Sequence, residues 1–270
     1  MTTTTRNNPP QPRPAARPPT LEQRLLLLRQ FLFKAIAEGA LAGIAGRVRP
    51  ERLAKTFEIA AQRDPRLLDC APDSMLAAFV EAAGVGLEPN TPLEHASLTA
   101  ESAGNGRGLY ADFQVTLRGL IVLAHRTGAV ASVCARLVHA EEEFEVRYGT
   151  DEGITHTPII GMDTRGPITA AYAVIRLRDE GLIFDVMSLA DLEDIRRRWA
   201  RNPSSGAWET DTGEMYKKTV LRRAMKWVPT DSDEMARAIR PPDVAPPPAG
   251  SRPEPVPADD PHQPAQAATP

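Results

Sequence analysis

ITAAYAVIRLRDEGLIFDVMSLADLEDIRRRWA, residues 168–200, decides the fold class. ITAAYAVIRL and LIFDVMSL alternate apolar with other residues and are rich in β-branched side chains, so both read as strands. LADLEDIRRRWA then switches to helical spacing. Upstream, ASVCARLVHA (131–140) and EFEVRYG (143–149) are again strand-like. LEHASLTA (93–100) and LYADFQVTL (109–117) read as two strands joined by SAGNGRG, a glycine-rich hairpin loop. RGLIVLAHRTG (118–128) reads as a helix ended by Gly128, and another helix spans about 211–227. The pattern is α+β: an antiparallel β-sheet backed by helices.

Residues 21–82 read as helices. LEQRLLLLRQFLFKAIAEGALAGI is too densely apolar for a purely exposed helix, and RPERLAKTFEIAAQRDPRLLDC follows with helical spacing. SMLAAFVEA (74–82) makes a third helix, with Ser74 as its N-cap and Gly84 as its stop. No internal repeat is visible.

Proline marks the boundaries. Of 26 prolines, six fall in residues 1–20 and eleven in 241–270, and neither stretch has the large apolar residues to offset chain entropy. The expected organisation is a disordered tail at 1–20, a helical region at 21–92, an α+β core at 93–230 and a disordered Pro/Ala-rich tail at 231–270.

Several chemistries are disfavoured. Cys70 and Cys134 stand far apart, in no CxxC or Cys/His cluster, so neither structural zinc nor a disulfide framework is expected. No GxxxxGK[ST], GxSxG or HExxH occurs. GNGRG at 104–108 reads as a hairpin tip, not a phosphate cradle. Glu141, Glu142 and Glu143 are adjacent on a strand and point to alternate faces, so they read as solvated charge. No catalytic residue, metal or cofactor is expected. No stretch is long and apolar enough for a membrane span, and residues 1–20 lack the apolar region of a secretory signal, so a cytoplasmic location is expected.

The formal net charge is -3, yet the segment 196–227 carries nine Lys or Arg against three acids. On its last helix, Lys218, Arg222 and Lys226 follow at i, i+4 and i+8, with Tyr216, Val220, Ala224 and Trp227 nearly opposite and expected to pack inward. Cations about 6 Å apart along a helix match the repeat of phosphates. Trp199, Trp208 and Tyr216 supply aromatic surface on which bases stack. A basic solvated face on an otherwise structural helix has the same pattern, so composition alone leaves both readings open.

At these residues the chain resembles the RecT family. YADFQVTLRGLIVLAHRTG (110–128) resembles the family's strand and Gly-Leu-Ile helix, and RGPITAAYAVIRLRDEGLIFDVMSLADLEDIR (165–196) its central hairpin, Met-Ser turn and helix. SSGAWETDTGEMYKKTVLRRAMKWVP (204–229) resembles its closing signature, and GVGLEPNTPLEHASL (84–98) the segment that leads into the core. The likeness covers about residues 30–230 in consistent order, departing at Tyr216, where the family more often has a small residue.

The resemblance implies a phage-type recombination protein that binds single-stranded DNA and anneals complementary strands without ATP. It further implies a homo-oligomer, as a ring or helical filament, that holds the nascent duplex. The implied partners are a 5′-to-3′ exonuclease and a host single-strand binding protein. Carried across, the expected DNA contacts are Arg118 and Arg126 on the first core helix, Lys217, Lys218, Arg222, Arg223 and Lys226 on the last, and Arg107 in the hairpin loop. Two alternatives remain: a protein that protects single strands without annealing them, and a metal-dependent nuclease using Asp112, Asp211 and Glu214.

Overall fold

Local capping chemistry sets where the first helices begin. The structure is a computed structural model, and it describes residues 18–44, 47–102, 108–161, 165–199 and 207–239. In α1 (Leu21–Ala37), Thr20 and Gln23 exchange side-chain and backbone bonds in a capping box. Pro50 opens α2 (Pro50–Arg63), where its missing N–H costs nothing. A 3-10 turn, Pro65–Asp69, leads into α3 (Pro72–Val85).

The ends of α3 differ from the sequence expectation. Ser74 lies inside the helix, where its hydroxyl donates to the Ala71 carbonyl and accepts from the Ala111 amide at 3.0 Å. Gly84 is also internal: a Cβ there would meet the Arg237 side chain at 3.0 Å. The stop is Gly86, in the left-handed region at φ 64°.

The strands form three antiparallel sheets where one was expected. β1 (Ala96–Ser102) pairs with β2 (Leu109–Val115), opposing Ala96 to Val115. Thr116 then caps α4 (Leu117–Arg126), and Gly128 turns the chain at φ 78°. β3 (Val130–His139), β6 (Ile168–Leu177) and β7 (Leu182–Ser188) make the central sheet in the order β3-β6-β7. β4 (Glu143–Arg147) and β5 (Gly153–Thr157) form a separate hairpin; β5 has no counterpart in the sequence reading. The α+β class holds.

Alternation gives the central sheet two unlike faces. Ala171, Ala173, Ile175 and Met187 are buried on one, in the core shared with Val220, Leu221 and Ala224. The other carries Arg136 opposite Tyr172 and Cys134 opposite Val174. The β4–β5 hairpin meets this second face through ring contacts, Phe144 on Tyr172 at 5.5 Å and Tyr148 on Phe184 at 5.4 Å.

α5 (Leu189–Trp199), α6 (Ala207–Thr210) and α7 (Thr212–Ala224) follow the sheet, then a 3-10 turn Met225–Trp227 and α8 (Asp233–Ile239). α8 corrects the expected boundary at 230, because Met235 and Ala238 are buried among α3 and α4. Burying a side chain the size of Met contributes about 1.5–3 kcal/mol toward holding this short helix on the core. One hydrophobic cluster runs from Leu32 to Ala238, with Phe57 and Phe79 edge to face at 5.4 Å. The greater parts of both expected tails, 1–17 and 240–270, lie outside the described residues.

Candidate nucleic-acid interface

α7 carries a cationic row, and the fold buries most of it. The helix starts after Asp211, which occupies the N-cap position without a cap bond and accepts from the Thr210 hydroxyl at 2.9 Å. Tyr216, Val220 and Ala224 pack inward as their spacing predicts. Trp227 does not: it is 72% exposed, because the helix gives way to a 3-10 turn at Met225 and the wheel changes phase.

Lys218 is 8% exposed, against the expected solvated stripe. Its Nζ lies 3.5 Å from Oε1 of Gln114 on β2, whose Nε2 in turn donates to Asp112 at 2.6 Å. Burial pushes the ammonium down to about 7, the Arg222 charge pushes the same way, and Asp112 offsets part of this. Arg222, one turn on, is part-buried with its Nε sealed from solvent and without a hydrogen-bond partner. Burial lowers its pKa, and Glu81 of α3 opposes that. Lys218, buried, and Arg222, part-buried one turn on, stand between α7, β2 and α3 with Asp112 and Glu81 as opposing charges. Desolvation outweighs those acids, since both cations are pushed down, so a further anion at this seam is favoured. Lys226, exposed beside Trp227, lies in the 3-10 turn after α7 and so departs from the helical row.

The other expected contacts go elsewhere. Arg223 gives Nε and Nη2 to Asp185 and also bonds the Val186 carbonyl. Its pKa is raised, first by the Asp185 hydrogen bond. Arg126 donates to the Gly86 carbonyl at 3.1 Å and lies 3.6 Å from Glu234, so it fastens α4 to α8. Arg118 pairs with Glu94 at 2.8 Å on open surface, where such a pair contributes little. Lys217 bonds Glu214 and lines a cleft on β3, away from Lys218. Arg107 lies outside the described residues.

The aromatic expectation is also redistributed. Tyr216 is buried and donates to Glu193, and Trp208 packs against it with the Arg196 guanidinium 5.7 Å over the indole. The Trp199 side chain lies outside the described residues. Among the described residues Asp112, Asp211 and Glu214 do not gather into a cluster able to hold a metal ion. No helix there is long and apolar enough to cross a membrane.

A positive seam on a chain of net charge -3 narrows the ligand to an anion without naming it. The comparison with known proteins decides the family: the model described as RecT family matches residues 52–246. The chain belongs to the RecT family. It is 34% identical to Protein RecT of Escherichia coli (strain K12) over 207 residues, which span 76% of each chain. RecT membership supports single-strand DNA binding and annealing in recombination as the class of function. The matched span takes in α2 to α8, and so the whole α7 row.

Proposed function

We propose that this RecT-family protein binds single-stranded DNA along Lys218 and Arg222 of α7 and Lys226 of the turn that follows, and anneals it to its complement without ATP. The observation that carries the reading is the pair Lys218 and Arg222, one turn apart on α7, whose desolvation outweighs the attraction of Asp112 and Glu81 and leaves the pair short of counter-charge. Phosphates along a strand supply that counter-charge at a repeat close to the helical one. Trp227, exposed beside Lys226, offers a ring for a base at about 1–3 kcal/mol.

Annealing follows from holding the backbone and leaving base edges free. Cations lower the repulsion between two polyanions, and base pairing selects the register, so the protein needs no base readout. Several subunits on one strand add their contacts and make long complementary stretches stable where one subunit does not. In this reading the protein acts as a homo-oligomer in the cytoplasm. It receives strands exposed by a 5′-to-3′ exonuclease and shares them with a single-strand binding protein.

The test mixes complementary, fluorescently labelled oligonucleotides with purified protein in the absence of ATP. Duplex formation faster than the protein-free rate, with salt-sensitive binding, is expected. Binding without acceleration makes the protein a strand protector and overturns annealing.

A further inference from the structure

Beside Lys217 of α7, a cleft of about 690 Å³ opens along β3. Its floor is the consecutive run Ala135, Arg136 and Leu137, and its opposite wall is Pro158–Gly161. β3 is an edge strand: it pairs with β6 on one side, and among the described residues no strand lies on the other. Every second residue of such a strand directs its N–H and C=O outward, a row that another extended chain can complete.

The cleft is pre-shaped. Behind its wall Glu142 is sealed from solvent, one carboxylate oxygen accepting from Arg165 at 2.7 Å and the Ile159 amide at 3.2 Å. The other accepts from the His139 amide at 2.8 Å and lies 3.2 Å from Nε2 of His156. Burial pushes this carboxyl up, but those hydrogen bonds outweigh it and hold it at about 2. His156 reaches on to the Tyr172 hydroxyl at 3.2 Å. The wall that faces β3 is therefore fixed before any ligand arrives, which reduces the ordering cost of binding.

Charge and chemistry choose the occupant. Arg136 is exposed and has no ion-pair partner among the described residues; Lys217, bonded to Glu214, and Arg165, bonded to Glu142, share the cleft with it. Leu137 and Ile159 put apolar surface between these cations. We propose that this cleft docks an extended acidic peptide segment of a partner protein, added as a fourth strand beside β3, with its carboxylates on Arg136 and Lys217. A DNA strand fits less well, because its backbone offers acceptors but no N–H donors for the outward carbonyls of β3. The proposal is independent of the α7 seam, since its readout is peptide binding.

The test measures fluorescence anisotropy of a labelled peptide alternating Val and Glu, with the full chain as receptor. Salt-sensitive binding, slowed hydrogen exchange at the β3 amides and survival of both under saturating single-stranded DNA are expected. R136E and K217E weaken binding by about tenfold or more. Arg136 is exposed, so R136E keeps the wild-type melting curve. No binding overturns the proposal. So does equal binding of a peptide with Pro at alternate positions, which cannot complete a ladder. Displacement of the peptide from β3 by the oligonucleotide assigns the cleft to DNA and also overturns it.

Discussion

Arg223 on α7 and Asp185 on β7 hold each other through two parallel hydrogen bonds of 2.5 Å, Nε to Oδ2 and Nη2 to Oδ1. This geometry commits both donors of one guanidinium edge to the sheet. Arg223 is thus a fastener of α7. D185A leaves a guanidinium whose side chain is 39% exposed without its partner. It lowers stability by about 1 kcal/mol, read from the urea midpoint at unchanged slope. The salt dependence of single-strand binding stays as in the wild type; a reduced slope shows that the pair serves the DNA instead.

Lys218 makes stability depend on pH in the opposite sense from a salt-bridged lysine. Its folded pKa, about 7, lies below the ordinary 10.5, so the ionised form is disfavoured in the folded state. The penalty is full below pH about 7 and fades as pH rises toward about 10. K218M therefore raises stability at pH 6 by about 1–3 kcal/mol, and the gap to wild type closes between pH 7 and 10. A constant gap across chemical denaturation curves in that window contradicts the assignment.

DNA binding changes the same equilibrium. A phosphate beside Lys218 restores its ordinary pKa, so binding takes up a proton between pH 7 and 10. Titration calorimetry at pH 8 in two buffers of different ionisation enthalpy detects uptake of up to one proton in wild type and less in K218M. Equal heats in both buffers remove Lys218 from the strand path.

Glu142 works in the usual carboxylate direction. Hydrogen bonds hold its folded pKa at about 2, below the ordinary 4.5, so its contribution is full above pH 4.5 and is lost as pH falls toward 2. E142Q is less stable at pH 7, and its stability falls less steeply over the acid range. Parallel acid-unfolding curves for the two proteins refute the role of this carboxylate as the hub of the cleft wall.

The sequence carried the element types well because they rest on local periodicity. Strands at 130–139, 168–177 and 182–188 and the α4 and α7 helices all follow from alternation, β-branching and turn residues. β5 was illegible: GITHT is a short edge piece stabilised by its pairing with Glu143–Arg147, a contact no local pattern announces. The α7 cations were legible as a row, but not in their exposure. A helical wheel gives direction around the axis, whereas Lys218 is buried by β2, brought there from about a hundred residues away. Glu142 shows the same limit. The acidic run is not a strand as expected: Glu141 and Glu142 lie in the turn before β4, and nothing local says that Arg165, His156 and two amides wait around Glu142.

The central claim is that the α7 row holds the DNA strand, and the double variant K218M/R222M tests it most directly. Its affinity for a labelled single strand is measured by anisotropy across a salt series, beside wild type. The slope of log affinity against log salt falls by about two, one for each lost phosphate contact, while the variant stays folded. An unchanged slope with a folded variant places the strand elsewhere and contradicts the account.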